Sequence, residues 1–308
     1  MRVLVTGSSG FTGRYMMDFL SRQPGADPTG LVRSNPPGDH PISRTHCVIS
    51  DLLGRRKLGE SLASVCPDAV IHLAGLTRGT PEALDATNVS GTQNLLDATL
   101  AANPDCRILV ISSSAIYGNA GDHPIAENTP LKPLSIYGMS KMAQDSLSLS
   151  YGNRQGAVSV ARPFNLAGPG LAESFVCGRI VKQVIEIEYN MREAIDLWEV
   201  SSARDLIDVR DVVRGYWALL TYPDFTADCS GKAFNLGSGN AYPVSEIITL
   251  IEEITGDHYR IQLPITPPEI PIPSQKSDNT MMTTLTGWKP KIALKKTLRD
   301  MLEAERKE

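Results

Sequence analysis

Cysteine is scarce in this 308-residue chain, and its five copies form no pattern. Cys47, Cys66, Cys106, Cys177 and Cys229 are odd in number, widely spaced and include no C-x-x-C pair. That spacing speaks against a disulfide framework and against a zinc site, so reduced, mostly buried thiols and no bound metal are expected. A charge excess is missing as well. The 30 Lys and Arg against 34 Asp and Glu leave a formal charge of −4, too mild for nucleic acid or an anionic membrane to be the main partner. A local basic pocket for an anionic small molecule stays open. No apolar run reaches the ~18 residues that cross a bilayer. Met1 runs straight into Arg2-Val3-Leu4-Val5-Thr6, with no basic segment and apolar stretch ahead of a cleavage site. These absences point to a soluble, cytoplasmic protein without a membrane partner.

What is present is an ordinary globular composition, 42% hydrophobic and 21% charged, arranged with a clear rhythm. Short apolar runs at residues 2–6, 29–33, 45–49, 69–73, 107–112 and 157–162 read as strands. Helical patterns separate them at 12–22, 55–65, 88–102 and 137–155. Alternating βα units with nearly continuous apolar strands predict an open, doubly wound parallel α/β sheet, covered on both faces and binding ligands at the carboxyl ends of its strands. After Arg162 the rhythm changes. Helices are expected at 174–188, 209–222, 244–254 (stopped by Gly256) and 294–305, with one strand at 233–236. The five prolines within 263–275 exclude a helix there.

The first motif is Gly7-Ser8-Ser9-Gly10-Phe11-Thr12-Gly13, which follows the first strand and opens the first helix. Glycine permits a tight turn and close backbone approach to phosphate, and the helix start at Phe11 and Thr12 offers free N–H groups at a positive dipole end. Such a turn directly after strand 1 is the mark of a Rossmann dinucleotide site. An acidic residue ending strand 2 would grip the ribose of NAD; here Arg33 stands in that place, which suits the 2′-phosphate of NADP. NADP(H) is therefore expected, with NAD(H) as the alternative and Arg14 as a helper. Asp51 and Leu52 fall where the adenine ring would rest, and Leu73, Ala74 and Gly75 are placed for close contact with the cofactor.

The second motif is Tyr137-Gly138-Met139-Ser140-Lys141. Its i, i+4 spacing puts the phenol and the ammonium on one helix face. A nearby ammonium lowers a phenol pKa from its usual value of about 10, so the tyrosine can exchange a proton with an alcohol or carbonyl oxygen while hydride moves to or from nicotinamide.

Together with His72-Leu73-Ala74-Gly75, Asn88-Val89-Ser90-Gly91-Thr92, Ile116-Tyr117-Gly118, Arg162-Pro163-Phe164-Asn165 and Gly287-Trp288-Lys289-Pro290, these motifs resemble the extended short-chain dehydrogenase/reductase family over nearly the whole chain. The resemblance implies a nucleotide-diphosphate sugar as substrate, a homodimer, and a triad of Ser113, Tyr137 and Lys141. Ser112 and Ser114 compete with Ser113, and Ser114 is also a candidate sugar contact. It places Pro163, Tyr137 and Lys141 beside the cofactor, Asn165 beside the sugar, and Arg179 and Arg204 at the diphosphate, with Lys276 where relatives often carry a phosphate-binding arginine. Residues 1–165 are expected to form the dinucleotide domain, with returning segments at about 207–240. Residues 166–206 and 241–308 are expected to form a smaller α/β substrate domain.

Sugar 4,6-dehydratases of this family carry an acid just after the triad hydroxyl. Ser114 and Ala115 stand there instead, and neither is a strong acid or base at neutral pH. A reductase and a 4-epimerase with retained NAD remain. The stretch around Ala203-Arg204-Asp205-Leu206-Ile207-Asp208 is most similar to GDP-4-keto-6-deoxy-D-mannose reductases, which make GDP-D-rhamnose, and Arg33 agrees with NADPH use. A non-catalytic dinucleotide sensor is the remote alternative, since such proteins typically lack the tyrosine or the lysine.

Overall fold

Strands that are apolar on both faces need cover on both, and the computed structural model, which describes residues 1–34, 46–154, 156–266 and 272–307, supplies it. The chain runs β1 (Arg2–Thr6), α1 (Phe11–Ser21), β2 (Asp27–Val32), β3 (His46–Ile49), α2 (Arg55–Val65), β4 (Ala69–His72), α3 (Pro81–Asp85), α4 (Gly91–Ala102), β5 (Arg107–Ile111), α5 (Ile136–Arg154) and β6 (Val158–Pro163). It continues through β7 (Asn165–Ala167), α6 (Val176–Glu188), β8 (Ile195–Asp196), β9 (Ala203–Asp208), α7 (Val209–Leu220), β10 (Ala233–Leu236), β11 (Ala241–Pro243), α8 (Val244–Thr255), β12 (Ile261–Gln262), β13 (Ser274–Gln275), α9 (Thr280–Thr286) and α10 (Leu294–Glu305).

A seven-stranded, all-parallel sheet has the order β3-β2-β1-β4-β5-β6-β10. Successive side chains point to opposite faces, and the core divides accordingly. Val3, Val5, Ile71 and Leu109 pack with Met16, Leu20, Tyr216 and Leu219 of α1 and α7. Leu4, Val70, Ile108 and Val110 pack with Leu58, Leu62, Leu95 and Leu96 of α2 and α4. This is the doubly wound sheet that the strand pattern predicts. A second core joins α6, α8 and α10 around Ile195 and Leu206. There β9 pairs with β11, β13 and β7.

Several elements differ from expectation for identifiable reasons. The helix expected from residue 88 begins at Pro81, where Thr80 Oγ1 accepts from Ala83 N at 3.3 Å and proline occupies the first turn, both favourable to a helix start. It reaches α4 through a π turn at Ala86–Ser90. Strand β9 was not anticipated, because Arg204, Asp205 and Asp208 interrupt its apolar pattern. It forms because the buried Asp205 carboxylate accepts from the backbone of Ser238, Gly239 and Ser277 and from two serine hydroxyls, which removes the cost of burying the charge. Helix α7 starts at Val209, with Asp208 capping it through a 2.8 Å bond from Arg210 N. Position 45 of the third expected strand, position 155 of the expected 137–155 helix, and Pro267, Pro268 and Pro271 lie outside the described residues.

Cys106, Cys177 and Cys229 are buried free thiols. Among the described residues no helix is long and apolar enough to cross a membrane, and no group of three or more His, Cys, Asp or Glu is placed to hold a metal.

Candidate active site

The strand order reverses between β1 and β4, the point at which an open α/β sheet leaves a crevice at the carboxyl ends of its strands. Here two backbone segments come very close together. Gly7 takes φ +65°, and a Cβ on it would lie 2.7 Å from the Ala74 nitrogen. A Cβ on Gly13 would lie 2.2 Å from Gly7 O. Neither neighbour is the movable end of a side chain, so both positions require glycine. Gly10 closes the turn with a 3.0 Å bond to Gly7 O and precedes α1 without any side-chain cap. No acid stands in the first turn of α1. The N–H groups at Phe11 and Thr12 thus meet neither a capping side chain nor a competing carboxylate, and the cradle fits the pyrophosphate of a dinucleotide.

The other expected dinucleotide contacts are spread along this edge. Ala74 N donates to Thr6 Oγ1 at 3.1 Å, fixing Leu73, Ala74 and Gly75 beside the turn. Leu52 is buried, and a Cβ on Gly91 would touch its side chain. Asp51 is exposed and accepts from Leu53 N at 2.9 Å. Pro163 is buried at the end of β6. Arg33 stands exposed just past β2, next to residues outside the description. Arg14 has its guanidinium against Gly170.

Tyr137 and Lys141 lie one turn apart near the start of α5. Gly138 between them lets the helix press on the turn that follows Ser113, since a Cβ there would lie 2.9 Å from Ala115 O. Of the three serines, Ser113 is the one whose hydroxyl acts on the Tyr137 phenol, favouring its charged form. Ser114 is buried, and the buried Ser112 Oγ has no partner among the described residues. Burial pushes the Tyr137 phenol above its ordinary value, and the Ser113 hydroxyl opposes that push. This corrects the expectation that Lys141 draws the phenol down. The Lys141 ammonium donates instead to Ile111 O at 2.5 Å and to Gln144 Oε1 at 2.5 Å. Burial pulls Lys141 down to about 7, with Asp145 opposing. Its Nζ would lie 3.9 Å from a Cβ on Gly75, so the lysine meets the edge built by Ala74 and Gly75.

On the other side of the crevice Asn165 pins β7 to β9 through a 3.2 Å bond to Asp205 O. Arg204 is half-buried and donates to Ala203 O at 2.9 Å. Arg179 reaches Glu173 O at 3.4 Å. Among the described residues neither arginine enters an ion pair, so the simple surface pair is not what they form. The two are not brought to one pocket. Arg179 lines a cavity of about 580 Å³ with Arg78, Lys182, Trp198 and Leu263, and Arg204 is not among its walls. Lys276 is half-buried, and its carbonyl accepts from Ile125 N at 2.8 Å.

Three residues at this edge escaped sequence reasoning. Arg78, after β4, donates to Ser174 O at 3.2 Å and so ties the loop after β4 to the segment before α6. Gln275, paired with Arg204 between β13 and β9, donates to Gly118 O at 3.1 Å and ties that strand to the loop after Ser113. Neither carries a local signal. Gln144 carried one, because it follows Lys141 at i+3 on the same helix face.

Comparison with known proteins matches this geometry to a family. The model of the NAD dependent epimerase/dehydratase family matches residues 3–237. A GDP-6-deoxy-D-mannose reductase of Pseudomonas aeruginosa is 32% identical over 98% of this chain and 96% of its own length. A GDP-6-deoxy-D-talose 4-dehydrogenase of Aggregatibacter actinomycetemcomitans is 27% identical over 83% of this chain and 80% of its own. Among solved structures, RMD from Pseudomonas aeruginosa complexed with NADPH superposes with a TM-score of 0.86 at 30% identity, covering 99% of both chains. A putative epimerase from Burkholderia cenocepacia J2315 gives a TM-score of 0.90 at 29% identity, covering 100% of this chain and 98% of the other.

Proposed function

The chain belongs to the NAD dependent epimerase/dehydratase family, and from that premise we propose that it reduces a nucleotide-diphosphate 4-keto-6-deoxy sugar with NADPH. GDP-4-keto-6-deoxy-D-mannose is the preferred substrate and GDP-D-rhamnose the product. Membership makes the chain an NAD(P)-dependent oxidoreductase of nucleotide sugars. The finer assignment is supported by the 32% identical reductase and by Ser114 and Ala115, which leave the position after Ser113 without the acid a dehydratase needs.

The observation that carries the chemistry is the meeting of Ser113 and Tyr137 at the sheet edge that also holds Gly7, Gly13 and Lys141. Bound NADPH supplies the hydride. Tyr137 gives its phenolic proton to the carbonyl oxygen that becomes the new hydroxyl. Ser113 hydrogen-bonds that phenol and orients it. Solvent returns the proton to the phenolate, and the Lys141 ammonium, facing the edge built by Ala74 and Gly75, binds the cofactor ribose. Gly7, Gly10 and Gly13 with the start of α1 hold the pyrophosphate, and Ala74, Gly75 and Pro163 border the nicotinamide end. Arg204, half-buried and outside any ion pair among the described residues, binds the substrate diphosphate, and Arg179 binds the nucleotide end in its cavity.

Incubating the protein with GDP-, TDP-, UDP- and CDP-linked 4-keto-6-deoxy sugars and NADPH tests this directly. One NADPH should be consumed per sugar, fastest with the GDP-linked ketone. Tightly bound NAD in the purified protein, with turnover that needs no added NADPH, would make it a 4-epimerase instead. Cofactor choice is tested by Arg33→Ala. The substitution should raise the Kd for NADPH by about tenfold or more, because a charge-assisted contact to the 2′-phosphate contributes roughly 1.5–3 kcal/mol. NADH should be nearly unaffected. Equal losses for both would remove Arg33 from the 2′-phosphate.

A further inference from the structure

Behind Lys141 runs an unbroken line of buried polar side chains. Each bond in it has only one possible direction. Thr92 Oγ1 owns a single hydrogen and lies 2.6 Å from Asn88 O, which can only accept, so Thr92 donates there. Its lone pairs then receive the two other neighbours, Gln144 Nε2 at 2.8 Å and His72 Nε2 at 2.8 Å. The proton of His72 therefore sits on Nε2, and its Nδ1 accepts from Thr6 Oγ1 at 2.7 Å. Thr6 in turn accepts from Ala74 N. Burial holds the His72 imidazole down at about 3, so the ring is neutral and carries one N–H, as this polarity demands.

The consequence falls on Gln144. With its amide nitrogen committed to Thr92, its oxygen must face Lys141, and it does so at 2.5 Å. A turned amide would set NH2 against NH3⁺ and leave Thr92 without that donor. Lys141 has three N–H bonds. Ile111 O and Gln144 take two, and the third remains for the crevice, where Gly75 is the neighbour. From this geometry we propose that Gln144 is a positioning residue: it keeps the Lys141 ammonium charged and aimed, and His72, acting through Thr92, locks the amide that does so. This role presupposes that Tyr137 and Lys141 are the reacting pair.

The charges facing Lys141 leave this role to Gln144. Asp145, from the same helix, is held by two bonds from Arg162 of β6 at 2.9 and 2.8 Å. His72 of β4 is neutral. Tyr137 is a phenol raised by burial and uncharged at neutral pH. Ile111 of β5 and Asn88 present only neutral groups. An acceptor oxygen on Lys141 favours the ammonium over the free amine, so removing it lowers the pKa, and a carboxylate in its place raises it.

The test follows Lys141 directly in the full-length protein. Lysine labelled with 13C at Cε is titrated by NMR, and the Lys141 signal is identified by its loss in Lys141→Arg. Gln144→Leu should move the Lys141 midpoint down by about one pH unit, and Gln144→Glu should move it up by about as much. Thr92→Val frees the amide and should also move it down, though less. In ketone reduction, kcat should lose its basic limb at lower pH in Gln144→Leu and at higher pH in Gln144→Glu, with KM for the sugar unchanged. A midpoint that stays in place in Gln144→Glu, or falls in both Gln144 variants, overturns the role of Gln144. An unmoved midpoint in Thr92→Val overturns the locking by His72. If Gln144→Leu fails to fold, Gln144→Glu decides alone. The NMR titration needs no turnover, so inactivity of the wild type towards every ketone would remove the proposed function and still leave Gln144 judged.

Discussion

Tyr137→Phe is expected to lower kcat for ketone reduction by roughly 10²–10⁴-fold, the usual worth of a positioned proton donor, while the dinucleotide still binds. The phenyl ring fills the same half-buried space, and Ser113 keeps its place because its Oγ also accepts from Ala115 N at 3.2 Å. Lys141 is held by Ile111 and Gln144, not by the phenol, so the cation does not move. Single-turnover absorbance separates the proton-coupled step from binding, and calorimetry with NADPH measures binding alone. Turnover at the wild-type rate on every nucleotide sugar would show that another group protonates the product and that Tyr137 is only a wall of the crevice.

Asp145→Ala should produce the largest loss of stability of any single change near the site. Arg162 is 4% exposed and Asp145 0%, and two bonds join them. Arg162 also donates to Tyr117 Oη at 2.9 Å and to Glu127 O at 2.9 Å. Stranding a guanidinium in that interior costs about 3–5 kcal/mol, which for a chain of this length lowers Tm by roughly 5–8 °C. The size of the loss lies in the desolvated cation and less in the missing bonds. Pairing Asp145→Leu with Arg162→Met should therefore recover much of the Tm, because it removes both charges and Tyr117 Oη keeps its 2.7 Å bond to Asn235. Thermal melts of the single and double variants check this. A double variant as unstable as Asp145→Ala would locate the cost in lost packing instead.

The ion pair also shows where sequence reading stops. Arg162 was noticed as part of a motif and Asp145 as one more residue of a helix. Their union across two elements rests on the crossing of α5 and β6, which no local pattern states. Arg78 and Gln275 escaped for the same reason. Each is a polar residue in a short loop or edge strand, and each acquires meaning only from the carbonyl it reaches on a distant segment. Strand β9 escaped for a different one. Its charges break the apolar run, and only the donors arriving from Ser238, Gly239 and Ser277 make a buried Asp205 tolerable.

The sequence alone determined the seven strands of the parallel sheet, the glycine turn between β1 and α1, and the sharing of a helix face by Tyr137 and Lys141. These are local matters. Apolar runs must be covered, glycines directly after a strand mark a tight turn, and an i, i+4 spacing fixes a face. Tertiary structure decided which serine meets the phenol, where the Lys141 ammonium points, and in which direction each proton of the His72, Thr92 and Gln144 line must lie. Those depend on distances between strands and helices far apart in the chain, and on burial, which sets both the pKa of a group and the number of partners it can find.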